Sequence, residues 1–198
     1  MVTKSQGPDE SMGLPESADP ALVSYYRLMR LKRLYRQGWL KRGIPAELCE
    51  SVAEHSFGTA ILALLVSPPL DGVDRTRAAV MAIVHEIGEA YAGDITPVDG
   101  VSREEKFRLE RAAIDLALEG HPDRAWFLSL WEEFEAGASA EARFVKELDR
   151  LELGLQAALQ HAEGHAGMDE FFQSARRSVR EPRLRAILET AIEASSAF

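Results

Sequence analysis

Apolar residues recur along this chain with the three- and four-residue spacing of α-helices, and no stretch alternates convincingly as a half-buried strand would. Segments rich in glycine, proline and polar residues, such as SPPLDG and GDITPVDGVS, separate the periodic stretches. Ser102 followed by Glu105 resembles a capping box at a helix start. The pattern predicts an all-α fold. The predicted helices cover residues 20–36, 51–66, 74–92, 103–119, 122–136, 139–163, 168–179 and 182–194.

The first 19 residues, MVTKSQGPDESMGLPESAD, contain too few apolar side chains to pack into a core. We therefore expect a disordered leader over residues 1–19. The 198-residue chain is long enough to bury one substantial core. Residues 20–198 are accordingly predicted to form a single helical domain.

The composition is that of an ordinary globular protein, with 46% hydrophobic and 28% charged residues. No apolar run approaches the roughly 18 residues that a membrane span requires. The N-terminus lacks the basic and apolar regions of a secretory signal, and the lone Cys49 cannot form an internal disulfide. We expect a soluble, cytoplasmic protein with no membrane partner.

The formal net charge of -9 argues against nucleic acid as a partner, because nucleic-acid-binding domains usually carry a basic surplus. Residues 20–46 contain no acidic residue, yet they are rich in lysine and arginine. Two interpretations of this basic segment stay open: a local site for an anion such as phosphate, or a solvated helix face. Its basic residues are Arg27, Arg30, Lys32, Arg33, Arg36, Lys41 and Arg42.

The segment VHEIGEAYAGDITP places His85, Glu86 and Glu89 within a predicted buried helix, and Asp94 in the loop that follows. Ionisable groups in apolar surroundings cost free energy unless they are paired. His85 and Glu89 are four residues apart, so they share a face of a continuous helix. Gly88 is expected to keep the surface between them open. These acids predict a functional pocket.

Two further residues complete a candidate metal set. His55 lies one turn before a strongly apolar run, and Asp149 lies beside the apolar stripe of its own helix. Each residue alone is more often structural, and an acid on a long charged helix is usually solvated. Together with His85 and Glu86, however, they offer the imidazole nitrogens and carboxylate oxygens that bind divalent transition metals.

Several motifs, in order, resemble the HD-domain phosphohydrolase superfamily and most closely its 5′-deoxynucleotidases, from about residue 31 to residue 160. They are RQGWLKRGI, ESVAEHS, VHEIGEAYAGDITP, EEK, LWEEFE and SAEARFVKELDRLELGLQA. The resemblance implies an all-helical, single-domain HD-type bundle. It also implies a metal-dependent hydrolase that converts (deoxy)nucleoside 5′-monophosphates to nucleoside and phosphate. By the same resemblance the protein is a homodimer.

Carried over position by position, the resemblance assigns three groups of residues. It implies that one divalent ion (Co, Mn, Mg, Zn or Fe) is held by His55, His85, Glu86 and Asp149. It implies that the catalytic acids are Glu89 and Asp94. It implies that the substrate is contacted by Arg36, Trp39 and Arg42. One position departs from the family pattern, because the pair is His85-Glu86 rather than His-Asp, which adds roughly 1.5 Å of side-chain reach.

Three alternatives remain. A triphosphohydrolase of the same superfamily would need more positive charge around a longer phosphate chain. A catalytically impaired nucleotide-binding protein would result if Glu86 had ended turnover. A di-iron oxygenase would need further histidines near the central pair, but we expect His121, His161 and His165 to be surface or cap residues. Trp126, Trp131 and Phe134 are interpreted mainly as core or dimer packing.

Overall fold

The computed structural model describes residues 13–66 and 72–197, and within them the chain is built from α-helices. They are α1 (Pro20–Leu28), α2 (Gln37–Leu40), α3 (Val52–Leu65), α4 (Arg75–Val84), α5 (Glu89–Ala92), α6 (Arg103–Ala117), α7 (Arg124–Ala136), α8 (Ala140–Ala162), α9 (Asp169–Ser178) and α10 (Pro182–Ser195). Two 3₁₀ helices, Met29–Arg33 and Pro97–Asp99, lie between them. The described residues contain no strand beyond an isolated bridge between Tyr35 and Ser51. The predicted all-α fold is confirmed.

Local signals fix several helix starts. The Asp19 carboxylate accepts a hydrogen bond from the Ala21 amide, and Pro20 occupies the first turn of α1. Ser102 accepts from the Glu105 amide at the start of α6, and Ser139 accepts from Ala142 at the start of α8. These side chains satisfy amides that have no partner within the helix. Six of the eight predicted helices match the structure to within two residues at each end.

The predicted helix over residues 20–36 is wrong in its second half. It ends as α1 at Leu28 and continues as the 3₁₀ helix, and Leu34 is then extended. Backbone hydrogen bonds join Val52 N to Leu34 O at 2.8 Å and Arg36 N to Glu50 O at 3.0 Å. This short pairing replaces the last turns of the predicted helix, because it gives backbone N–H and C=O groups of this segment other hydrogen-bond partners. The unpredicted helix α2 follows it.

The predicted helix over residues 74–92 is also interrupted. Helix α4 ends at Val84, residues 85–88 form turns, and α5 begins at Glu89. Ile87 N donates to Val84 O and Glu89 N donates to Glu86 O, which is the tighter i to i−3 pattern. His85 and Glu86 therefore lie in a turn between two helices, and not within one continuous helix.

The chain divides into two compact units, which are Met1–Ser56 with Val84–Glu132, and Phe57–Ile83 with Glu133–Phe198. The core of the first unit includes the fully buried Trp39, Ile114 and Trp131, and Phe107 stacks on Trp131 at 4.9 Å between ring centroids. The core of the second unit contains large apolar side chains that are almost completely buried. These are Met81, Leu148, Leu151, Met168, Leu184 and Leu188.

Most of the predicted leader, residues 1–12, lies outside the described residues, and the single-domain organisation over 20–198 stays a prediction. Among the helices in the described part of the chain, none combines the length and apolar character needed to cross a membrane. Cys49 is buried.

Candidate metal centre and active site

His55, His85 and Glu86 converge in the first compact unit. The Nε2 atoms of His55 and His85 lie 4.0 and 3.5 Å from Glu86 Oε1. The two imidazole rings are 5.4 Å apart between centroids. One ligand atom from each of the three residues lies within 4.8 Å of the others. Two nitrogens and one carboxylate oxygen at this spacing form a donor set suited to a divalent transition metal.

Local sequence positions both histidines. Ser51 and Glu54 form a reciprocal capping box, in which Ser51 N donates to the Glu54 carboxylate at 2.6 Å and Glu54 N donates to Ser51 Oγ at 3.2 Å. The box starts α3 and places His55 in its first turn, where the side chain is fully buried. His85 follows the end of α4 directly and is also buried. Two helix ends thus hold the two imidazoles.

Asp149 lies on α8 in the second compact unit. Its side chain is buried, and Oδ2 is 3.4 Å from Arg150 Nε. The burial agrees with an inward-facing acid and disagrees with a solvated one. Its part in metal binding stays a prediction from the resemblance.

Arg36 contacts the same carboxylate as the histidines. Its Nη1 lies 3.5 Å from Glu86 Oε1, and both side chains are mostly buried. Burial disfavours the charged form of Arg36, but the carboxylates of Asp94, Glu86, Glu50 and Glu89 outweigh it and raise the pKa of the guanidinium. A permanent cation therefore lies beside the candidate metal ligands.

Glu89 is 1% exposed and opens α5. Its burial raises the pKa of the carboxyl well above the ordinary value, and the neighbouring acids Glu86 and Asp94 raise it further. Lys106, whose Nζ lies 3.7 Å from Glu89 Oε1, and Arg36 act in the opposite direction. A buried carboxyl with a raised pKa is suited to accept a proton near neutral pH.

Asp94 follows Gly93, whose positive φ of 82° ends α5. Asp94 Oδ2 accepts a hydrogen bond from the Gln37 amide at 2.5 Å, at the start of α2. Farther along the same loop, Thr96 and Asp99 cap each other, and Lys41 Nζ lies 2.7 Å from the Asp99 carboxylate. The loop that carries Asp94 is thus tied to the segment that carries Arg36.

Trp39 on α2 is 1% exposed, and its indole N–H donates to Glu50 Oε1 at 2.9 Å. Arg42, at the end of this segment, is half-buried. The structure brings Arg36 to Glu86 and buries Trp39, while the contact of Arg36, Trp39 and Arg42 with a substrate stays a prediction.

Other cations of the basic segment make contacts within the protein. Arg27 donates to Leu116 O at 2.8 Å. Arg30 donates to Ala90 O at 2.9 Å and lies over the Tyr91 ring at 4.3 Å. Lys41 contacts Asp99, so the positive charges of the basic segment lie at several separate places in the first unit. Much of the basic segment therefore has a structural use.

Two residues near the site were not predicted. Lys106 Nζ lies 3.2 Å from Glu110 Oε1 in addition to its contact with Glu89, and Glu110 is buried. Both residues belong to α6. The available signal was their i, i+4 spacing together with the EEK motif that ends at Lys106.

The expectation that Gly88 keeps a surface open is wrong. A Cβ at this position would lie 2.7 Å from Glu110 Cβ and 3.0 Å from Glu110 O, so the missing side chain lets α6 approach the turn closely. The space at Gly88 is occupied by α6 and not by solvent. This close packing brings Lys106 and Glu110 to the turn that carries the candidate ligands.

A family model described as HD domain matches residues 28–191, and the chain belongs to this family. The human 5′-deoxynucleotidase HDDC2 is 34% identical over 171 residues, which cover 83% of this chain and 81% of that protein. The Dictyostelium discoideum protein of the same name is 33% identical over 172 residues, with coverage of 80% and 89%. Among solved structures, the PH0347 protein from Pyrococcus horikoshii OT3 has a TM-score of 0.71 at 30% identity and coverage of 87% and 98%.

Proposed function

We propose that this protein is a metal-dependent 5′-deoxynucleotidase that hydrolyses (deoxy)nucleoside 5′-monophosphates to nucleoside and phosphate. The observation that carries the proposal is the convergence of His55, His85 and Glu86 in an HD domain chain. Relatives that span most of the chain bear the 5′-deoxynucleotidase name.

The donor set fits a divalent metal. His55 and His85 supply buried imidazole nitrogens, and Glu86 supplies a carboxylate oxygen 3.5 to 4.0 Å from both. The additional methylene of Glu86 does not prevent this approach. We propose Asp149 as the fourth ligand, on the basis of the sequence resemblance and its burial. The ion, which is one of Co, Mn, Mg, Zn or Fe, would polarise a phosphoryl oxygen and lower the pKa of a bound water.

Glu89 is proposed to orient the attacking water and accept its proton, which is the role that a buried carboxyl with a raised pKa suits. Arg36 is proposed to neutralise the phosphate, with Arg42 as a second cation. Asp94 is proposed to fix the sugar or protonate the leaving 5′ oxygen. Trp39 is proposed to shape the substrate pocket from its buried position beside Glu50.

A monophosphate suits the distribution of charge better than a triphosphate. Arg27, Arg30 and Lys41 contact groups of the protein itself. A triphosphate would call on more of these cations than a monophosphate, for which Arg36 and Arg42 are the proposed contacts. The proposed substrate is therefore the shorter phosphate ester.

Phosphate release tests the proposal. Metal-stripped protein would be assayed on a panel of deoxynucleoside monophosphates, ribonucleoside monophosphates and triphosphates, with Co²⁺, Mn²⁺, Mg²⁺, Zn²⁺ or Fe²⁺ added singly. We expect monophosphate turnover that requires metal and is absent in His85→Ala. Preferred turnover of triphosphates would replace the proposed substrate class. Silence across the panel in a folded protein would instead support a nucleotide-binding protein that lacks turnover.

A cytoplasmic location and a homodimer complete the proposal. The lone buried Cys49 is compatible with a reducing compartment. The homodimer rests on the sequence resemblance, and sedimentation of the purified protein would test it directly.

A further inference from the structure

Helix α6 approaches the candidate active site unusually closely. Gly88 meets Glu110 at a separation that leaves no room for a Cβ. Lys106 lies four residues before Glu110 on the same helix, so both side chains extend from one face. The close approach thus fixes where the Lys106 ammonium lies relative to the turn at residues 85–88 and to Glu89.

The Lys106 ammonium bridges two carboxylates. Its Nζ lies 3.2 Å from Glu110 Oε1 and 3.7 Å from Glu89 Oε1. Both acids are at most 4% exposed, whereas the Lys106 side chain retains 35% exposure. The ammonium therefore contacts two buried acids although the side chain as a whole stays partly exposed.

The charge state of Lys106 supports this arrangement. Burial disfavours the ammonium, but Glu86, Glu89 and Glu110 outweigh it and raise the pKa of Lys106. Lys106 is consequently a cation at any pH at which the enzyme would work. Without such a cation, the two buried carboxylates would lose their hydration with no compensating attraction.

We propose that Lys106, anchored by Glu110, is a positioning residue that holds the Glu89 carboxylate in place for its work on the attacking water. The inference rests on the proposed function, since it assigns Lys106 a part in the same reaction. Lys106 acts through Glu89 and does not touch the substrate. A merely structural ion pair would stabilise the fold without changing how well Glu89 performs.

The first test compares steady-state kinetics of wild type, Lys106→Met and Lys106→Arg with a saturating metal. Met keeps the length of the stem but removes the charge. We expect Lys106→Met to lower kcat by about 10- to 100-fold with KM within about twofold, because the lost interaction acts on the transition state. Lys106→Arg should recover most of kcat. The control is Arg108→Met, which removes a cation from the exposed side of α6.

The Glu89→Gln background separates positioning from a general effect. If Lys106 acts through Glu89, adding Lys106→Met to Glu89→Gln should leave the residual kcat unchanged. An undiminished further loss would overturn the proposal, as would a rise in KM at constant kcat, which would make Lys106 a substrate ligand. Equal kcat in wild type and Lys106→Met would overturn it too.

An activity-independent readout separates failure of this inference from failure of the proposed function. Urea unfolding of the metal-stripped single and double variants measures the coupling between Lys106 and Glu89. We expect the shift in midpoint of the double variant to differ from the sum of the single shifts. Absence of phosphate release from wild type would contradict the proposed function. Additive midpoint shifts in the double variant would instead contradict the interaction between Lys106 and Glu89.

Discussion

Two carboxylates of this protein, Glu89 in the first compact unit and Glu133 in the second, each lie beside a cation but in opposite electrostatic situations. Glu133 receives two hydrogen bonds from Arg77, at 2.7 and 2.5 Å, and these lower the pKa of its carboxyl. Glu89 is nearly inaccessible to solvent, and burial raises the pKa of its carboxyl despite Lys106 and Arg36. Proximity to a cation alone therefore does not determine the ionisation of an acid.

The difference separates an acid that local structure explains from one whose surroundings indicate a function. A forked arginine satisfies both oxygens of Glu133, so this pair is explained by geometry alone. Glu89 shares its surroundings with Glu86 and Asp94, and this concentration of acids costs stability. A fold has no need of such a cluster, which is why perturbed acids in one pocket indicate function.

The largest expected effect separates the two acids by activity. Glu89→Gln removes the proposed proton acceptor while keeping the side-chain shape, so we expect kcat for deoxynucleoside monophosphates to fall about 10²- to 10⁴-fold. Glu133→Gln should leave kcat unchanged. Circular dichroism would show that both variants are folded. Comparable activity losses in the two variants would contradict a special role for Glu89.

The second effect concerns Glu86, the proposed carboxylate ligand of the metal. Glu86 Oε1 lies near both imidazoles and Arg36, and aspartate would shorten its reach by roughly 1.5 Å. We expect Glu86→Asp to weaken metal binding by about 10- to 100-fold, a range typical of changes around a metal site. Titration of metal-stripped protein with Mn²⁺ or Co²⁺ measures this affinity, with Glu133→Asp as the matched control. A large gain in affinity would mean that Glu86 impairs the natural site.

The sequence predicted most of the fold but not the geometry at the centre of the site. Helices such as α6 and α8 carry their own signals, since Ser102 and Ser139 cap them and their apolar positions repeat. The break at residues 85–88 has no comparable signal, because no proline or polar cap interrupts VHEIGEA. The need for glycine at position 88 comes from Glu110, which is 22 residues away in sequence. Tertiary packing outweighs local periodicity here.

In the candidate site, too, local sequence predicted some residues, while tertiary packing decided others. Residue type and spacing indicated His55, His85 and Glu86, and the structure brings these three together. Lys106 was missed because a lysine four residues before a glutamate on a charged helix usually indicates a solvated pair. Its approach to Glu89 depends on the packing of α6, which periodicity does not report. The roles of Asp94, Arg36, Trp39, Arg42 and Asp149 stay predictions.

The third effect uses two glycines whose missing side chains permit close packing. A Cβ at Gly88 would lie 2.7 Å from Glu110 Cβ, and one at Gly154 would collide with Leu188 and lie 3.0 Å from Ala175 Cβ. We expect either change to alanine to lower the free energy of unfolding by about 1–3 kcal/mol, as overpacking does. Only Gly88→Ala should also lower kcat, because it displaces Lys106. Urea unfolding and steady-state kinetics would measure the two effects, and a normal kcat in destabilised Gly88→Ala would show that the site tolerates movement of α6.

The smallest effect is on the pH dependence of stability, which Glu133 and Glu89 should change in opposite directions. The pKa of Glu133 is lowered, so its pair with Arg77 stabilises the fold above the ordinary value of 4.5 and this stability is lost as pH falls through the folded-state pKa. The contribution should be at most about 1 kcal/mol, because Arg77 is 41% exposed and solvent screens the pair. The pKa of Glu89 is raised, so its contribution is present below 4.5 and is lost as pH rises toward its folded-state pKa. Urea midpoints of metal-stripped protein would be measured as a function of pH. In Glu133→Gln the fall in midpoint toward acid pH should become smaller, and in Glu89→Gln the fall in midpoint above pH 4.5 should become smaller. Changes in the same direction with pH would contradict the contrast between the two acids.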